Sequence, residues 1–365
     1  MRIRLLPRPL LLLLLCLPSS CFLFEAGGGS NAGVFTECSD AAAQEAWRQA
    51  VPELSSGDDA KALPFLRTVT SKCPEMVRAH VAYQDVARRL GGEHEQAMVD
   101  FYVKAPERPA NDRSPVPAYL RARLAETAYA QSNALDQILA SHPKFAWGYL
   151  SRGRVNRGQG RLSEALKNFD RAIANDSQLM EARLERAQVL TELGRDEEAA
   201  VEYKMYVRET PSDSVAAREY ITLLLYRLAR VDEAIQHLDL LEQRGEKSLS
   251  LRMDRAAAQW RGKRPRAAVE TYLEILTAEP KTARAALNIG LLYYEIVPKD
   301  DADKLRFWPK ARAAFELFLQ SSEPADGHEQ FERTWAVPYR IRRIGELLGP
   351  SLGAAKLEDL AWPKA

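Results

Sequence analysis

Residues 158–173 read GQGRLSEALKNFDRAI and place Gly160 five residues before Ala165, Phe169 four residues after it, and Ala172 three further on. Ala165, Phe169 and Ala172 share one face of a helix, because residues three and four apart stack on a 3.6-residue period. A glycine just ahead of such a run marks the turn that separates it from a preceding helix. The stretch therefore predicts two short helices joined tightly, with small groups where they cross and a large ring beside them.

The same ladder recurs. Related alanines fall at Ala62, Ala97, Ala165, Ala199, Ala234 and Ala268, at intervals of 35, 68, 34, 35 and 34, and the interval of 68 holds two periods. Four residues after them come Leu66, Phe101, Phe169, Tyr203, Leu238 and Tyr272. Gly57, Gly92, Gly160 and Gly194 stand five residues before, and the small residues Ala50, Gly153, Ala187 and Ala256 another seven upstream. Pro74, Pro109, Pro211 and Pro280 close units twelve residues after the alanine, where proline cannot continue a helix. No helix pair of this size buries its apolar face alone, so the period implies stacked units sharing a continuous core.

This pattern of small, turn-glycine, alanine, aromatic and proline positions resembles the tetratricopeptide repeat family from about residue 43 to 325. The resemblance implies an all-α, right-handed solenoid of about eight helix pairs, used mainly as a protein- and peptide-binding scaffold. Units read at roughly 43–76, 78–111, 112–145, 146–179, 180–213, 215–248, 249–282 and 283–325. The third has Gln131 for the alanine and Glu126 for the turn glycine. The eighth opens with Gly290 and Tyr293 and resumes at Ala311 and Phe315 after about nine extra residues, read as a solvated loop. Residues 326–365 are expected to supply capping helices and a tail, with Pro338 separating two of them.

The resemblance further implies that the first helix of each unit lines a concave groove, with the residue eight before the marker alanine facing it. That column reads Leu54, Arg89, Arg123, Arg157, Thr191, Tyr226, Trp260 and Tyr294, with Arg154 one helical turn from Arg157 and Trp147 as a flank. Such a groove is basic in one half and aromatic in the other. It suits a protein or peptide segment with acidic residues at one end and apolar ones at the other. An alternative is a glycan- or polysaccharide-associated binding protein that stacks sugars on Tyr226, Trp260 and Tyr294. The plainest reading of the same residues is solvated arginines and core aromatics. The family's clamp for chaperone tails is not matched, since Arg284 and Asn288 stand without companions in neighbouring units.

The amino terminus follows different rules. MRIRLLPRPLLLLLLCLPSSCFLF puts arginines before a short leucine run and then small residues, the layout of a secretory signal over residues 1–21. Leu17-Pro18-Ser19-Ser20-Cys21 resembles a bacterial lipobox, with Pro18 where that pattern prefers Leu, Val or Ile. The expectation is lipidation at Cys21, a flexible tether over 22–40, and a periplasmic protein anchored to the outer membrane; a soluble secreted protein is the alternative. Cys38 and Cys73 remain as an even pair at the same end of the first helical hairpin, which makes them a candidate disulfide.

Lys and Arg total 51 against 50 for Asp and Glu in 365 residues, so net charge offers nucleic acid no attraction, and none is expected as a partner. Signals for chemistry are thin. GRVNRGQG at 153–160 has glycines spaced like a phosphate loop but lacks the following Lys and Ser/Thr and lies on a repeat helix. His80, His94, His142, His237 and His328 show no metal-ligand spacing, and Asp300, Asp301 and Asp303 run into Leu305 and Arg306 rather than completing a calcium loop. No metal, no cofactor and no catalytic activity is expected.

Overall fold

The computed structural model describes residues 38–104, 113–321, 330, 332–349 and 355–363. The expected signal peptide, Cys21, the expected tether up to residue 37 and Pro109 lie outside them. Every regular element among the described residues is helical. Sixteen helices form eight successive pairs, each with an A helix and a B helix. They are α1 (Ala41–Ser56) with α2 (Asp59–Lys72), α3 (Val77–Leu90) with α4 (Gly92–Val103), α5 (Val116–Ala122) with α6 (Ala128–Ser141), and α7 (Ala146–Gly158) with α8 (Leu162–Asn175). Then follow α9 (Met180–Glu192) with α10 (Asp196–Glu209), α11 (Ser214–Tyr226) with α12 (Val231–Gln243), α13 (Leu249–Arg261) with α14 (Pro265–Ala278), and α15 (Ala283–Leu291) with α16 (Asp301–Gln320). α17 (Val337–Leu348) packs on α16. The molecule is an all-α repeat solenoid in which each helix packs on its sequence neighbours, and A helices of adjacent pairs also touch, as in α3 with α5, α7 with α9 and α11 with α13.

The ladder that announced the repeat has a direct steric meaning. Ala62, Ala165, Ala199, Ala234, Ala268 and Ala311 are all fully buried at the A–B crossings. A Cβ placed on Gly153 would lie 2.3 Å from the Phe169 ring, and one on Gly290 would lie 2.4 Å from the Phe315 ring. Opposite Phe169 and Phe315, 16 and 25 residues earlier, stands glycine. Opposite Leu66, Tyr203 and Tyr272 stands alanine, at Ala50, Ala187 and Ala256. The aromatic fills the space over the small residue of its own hairpin rather than reaching first for the next unit.

The turns follow the same economy of shape. Gly57, Gly160 and Gly194 have φ of 78°, 72° and 75°, the left-handed region that glycine enters without penalty. The equivalent turns of the sixth and seventh pairs use Ala229 at 54° and Lys263 at 57°, where a Cβ is strained.

Two registers differ from expectation. In the second pair Gly91 and Gly92 both have positive φ, and the buried positions of α4 fall one residue later than the period predicts. Met98 and Tyr102 are buried in the places expected for Ala97 and Phe101, and Phe101 is 44% exposed. The insertion in the eighth pair is not a solvated loop. A π-helical turn at Leu292–Ile296 prolongs α15, and α16 starts at Asp301, with Asp300 capping it through the Asp303 backbone N–H at 2.8 Å. Phe307 is buried there, and the Trp308 ring stacks on Tyr294 with centroids 5.1 Å apart.

The carboxy-terminal segment caps this end. The Tyr293 hydroxyl donates to the Leu360 carbonyl at 2.9 Å, Lys310 Nζ donates to the Asp359 carbonyl at 2.9 Å, and Trp362 packs 5.5 Å from Phe307. Pro338 lies where two helical segments meet. It sits in the first turn of α17, where its missing N–H costs nothing, directly after a π turn at Glu332–Ala336. At the other end Cys38 and Cys73 form a disulfide with Cα atoms 5.4 Å apart, tying the start of α1 to the end of α2. Lys72 and Asp40, at 3.3 Å, close the same end.

Joints between units carry a periodic ion pair. Arg152 meets Asp136, Arg186 meets Asp170 at 2.7 Å, and Arg255 meets Asp239 at 2.7 Å, each pair spaced 16 residues from the B helix of one unit to the A helix of the next. One pair reaches further: Arg78 on α3 donates to Glu181 on α9 at 2.9 and 3.3 Å across 103 residues of sequence. That contact brings the second and fifth units together and requires the intervening array to curl.

Candidate partner-binding groove

The A helices of adjacent units touch, so their outward faces form a wall, and the side chains that project from it are bonded along the array. Arg154 Nε donates to Glu185 at 2.6 Å, and Arg157 reaches Glu185 at 3.0 Å, Glu192 at 2.6 Å and Gln188 at 2.6 Å. Gln188 passes the chain on through its amide to Glu219 at 2.9 Å, which also accepts from the Tyr203 hydroxyl at 3.0 Å. Arg218 then meets Asp254 at 3.3 Å. Burial works against the Arg157 charge, and Glu192 and Glu185 outweigh it, so this guanidinium holds its proton more tightly than usual. Asp254 shows the opposite balance: burial lifts its carboxyl above the ordinary range despite Arg218.

An open cavity of about 480 Å³ lies along this wall, bordered by Arg157, Thr191 and Glu192 on one side and Val215, Thr222 and Arg227 on the other. Arg227 is itself paired with Asp196 at 3.0 Å. The groove floor thus offers hydroxyls and amides beside charges that are already neutralised within the chain.

The residues read from sequence as a bipartite groove are distributed differently. Arg154 and Arg157 come together on Glu185, and Arg157 borders the cavity. Arg123 does not face it: its side chain is only 8% exposed and joins the second and third units through Gln84 at 2.8 Å and Asp85 at 2.6 Å. Arg89 is displaced by the one-residue shift of the second pair and forms a bidentate pair with Asp59 at the beginning of α2, at 2.6 and 2.7 Å. Each aromatic has its own neighbour. Arg261 covers Tyr226 at 4.5 Å, Tyr294 stacks on Trp308, and Trp260 lines a separate cavity with Trp362.

Sequence reading missed the carboxylates Asp59, Asp85, Glu185, Glu192 and Glu219 that bind these groups. For Asp59, Asp85, Glu185 and Glu192 the signal is a spacing of 28 to 38 residues from the arginine they pair with, and for Glu219 a spacing of 31 from Gln188; it becomes meaningful only once the units are stacked. Among the described residues no three of His, Cys, Asp and Glu gather where they would hold a metal ion, and no helix is long and apolar enough to cross a membrane.

Residues 121–178 and 150–214 match the family model described as tetratricopeptide repeat, which spans about a quarter of the chain. No curated protein matches. Among solved structures the chain is similar to a tetratricopeptide repeat protein from Parabacteroides merdae, with 16% identity, 67% of this chain and 96% of that one covered, and a TM-score of 0.35. It is also similar to yeast Tom70, with 13% identity over 87% of this chain and 66% of that one and a TM-score of 0.38. The family match falls on the third to fifth helix pairs, where the buried alanines, the glycine turns and the wall of A helices coincide; over this stretch the chain is similar to tetratricopeptide repeats.

Proposed function

We propose that the protein is an exported adaptor that holds a protein or peptide segment against the A-helix wall of its fourth to sixth units. The observation that carries this reading is the cavity lined by Arg157, Thr191, Glu192 and Thr222, which runs along consecutive A helices and presents hydrogen-bonding groups in a row. Because Arg154 and Arg157 are already paired with Glu185 and Glu192, an acidic segment must exchange partners within the network to bind. Recognition then depends on the sequence of hydrogen-bonding groups more than on net charge.

The amino-terminal signal and the lipobox-like approach to Cys21 support placement at a bacterial envelope membrane, in assembly or secretion, with the array hanging from a flexible tether. Mass spectrometry of the mature protein tests the anchor: a diacylglycerol-modified Cys21 at the amino terminus supports it, and an unmodified terminus elsewhere removes it. Thr222→Trp tests the groove. It fills the cavity from an exposed position, so proteins captured from the native envelope should be lost, while Glu270→Trp on the exposed face of a B helix should retain them. Equal capture by both variants would overturn the groove assignment.

A further inference from the structure

A second cavity, of about 800 Å³, lies away from the A-helix groove, where the turns of the sixth and seventh units meet the prolonged end of α15 and the carboxy-terminal tail. Two tryptophans, Trp260 and Trp362, line it together with Arg261, Lys263 and Lys299. None of its lining residues is Asp or Glu, and none of these three cations makes an ion pair among the described residues. Asp303 is close to Lys299 in sequence, but its carboxylate accepts the Lys299 backbone N–H at 3.0 Å. The remaining wall is aliphatic and includes Leu225, Val231 and Val297. The side chains thus supply donors and apolar surface with no carboxylate or amide acceptor.

Backbone strain points to the same place. Ala229 and Lys263 are the two non-glycine residues with positive φ among the described residues, at 54° and 57°, and both line this cavity. Glycine occupies the equivalent turns of the first, fourth and fifth units. A left-handed Cβ costs roughly 1 kcal/mol, and such outliers persist where the surrounding structure holds them in place. Keeping a lysine in this conformation puts an ammonium at the rim of a tryptophan-walled space.

We infer that this cavity binds a carboxylate attached to an aromatic or branched apolar group, its apolar body lying between Trp260 and Trp362 and its anionic end among Lys263, Lys299 and Arg261. A sugar ring fits this wall less well, because its hydroxyls need acceptors that the lining side chains do not provide. The same chemistry is presented by a free aromatic acid or by the carboxy-terminal residue of another polypeptide.

The test is isothermal titration of the full mature protein with three probes: 3-phenylpropionate, a short Gly/Ser peptide ending in a free phenylalanine carboxylate, and the same peptide as its carboxy-terminal amide. Binding of the acids with at least about tenfold loss on amidation supports the inference, since charge-assisted hydrogen bonds supply the difference. Phenylpropionate binding as tightly as the peptide acid identifies a free acid as the natural form; a peptide acid bound about tenfold tighter identifies a chain terminus. Lys299→Glu should weaken binding by about tenfold at low salt without lowering the melting temperature. Lys263→Gly should relieve strain and raise the melting temperature while weakening binding, two changes that a purely structural lysine does not produce together. Equal affinity for acid and amide, absence of binding by all three probes, or unchanged affinity in both lysine variants would each overturn it.

Discussion

Gly153→Ala is the sharpest test of why this chain repeats as it does. Gly153 is in the interior of α7, and in an ordinary helix its replacement by alanine stabilises by about 1 kcal/mol. Here the added Cβ would sit 2.3, 2.6 and 2.8 Å from three atoms of the Phe169 ring, which is fully buried. Overpacking of this kind costs roughly 1–3 kcal/mol, and subtracting the propensity gain leaves a net loss of about 0–2 kcal/mol. Gly345 in α17 has nothing within 4 Å of a built Cβ, so Gly345→Ala serves as the control and should stabilise. Adding Phe169→Leu to Gly153→Ala recreates the Ala50 and Leu66 pairing of the first unit, and the double variant should be less destabilised than the sum of the two single changes. Urea melts followed by far-UV circular dichroism, with hydrogen exchange on α7 and α8, measure the effect. Stabilisation by Gly153→Ala, or strict additivity with Phe169→Leu, would refute the crossing argument.

Three further outcomes follow from particular contacts. Ala229→Gly should stabilise the sixth unit by up to about 1 kcal/mol, because it relieves a left-handed alanine, and a thermal melt decides this. Cys38→Ser with Cys73→Ser should cost about 4 kcal/mol on the chain-entropy account of a loop this long, confined to the first unit, and is read as faster hydrogen exchange in α1 and α2. His237 is held below its usual pKa, first by burial and then by Lys204 and Arg244 against the pull of Glu233, and its ring meets Tyr220 edge-on at 4.9 Å. The unfolded ring therefore binds a proton before the folded one, so stability is present above about pH 6.5 and is lost as pH falls through the depressed folded value. The melting temperature of the native protein should drop between pH 7 and 5.5, and His237→Gln should flatten that slope.

Much of the array was legible because its signal is steric and local. Ala165 with Gly160 and Phe169 lie within one hairpin, and six marker positions from Ala62 to Ala311 are buried as their spacing demands. The second unit misled because Gly91 and Gly92 look like one turn glycine with a neighbour; only their backbone angles show that both are left-handed. The groove was less legible, since an arginine column says nothing of the carboxylates a repeat away. Arg123 reads as a surface cation until Gln84 and Asp85 close over it. The eighth unit hid its helical extension because Asp300, Asp301 and Asp303 resemble loop sequence, whereas Asp300 serves as a cap and Phe307 as core. Trp362 could not be placed at all by period, as it is carried back to Phe307 by a tail outside the repeat.

The central claim is that a partner segment lies on the A-helix wall, and site-specific photo-crosslinking in the native host cell tests it most directly. A photoreactive residue in place of Thr222 should give discrete adducts with a partner polypeptide, and the same residue in place of Glu270 should give none. Adducts of equal yield at both positions, or at Glu270 alone, would contradict it.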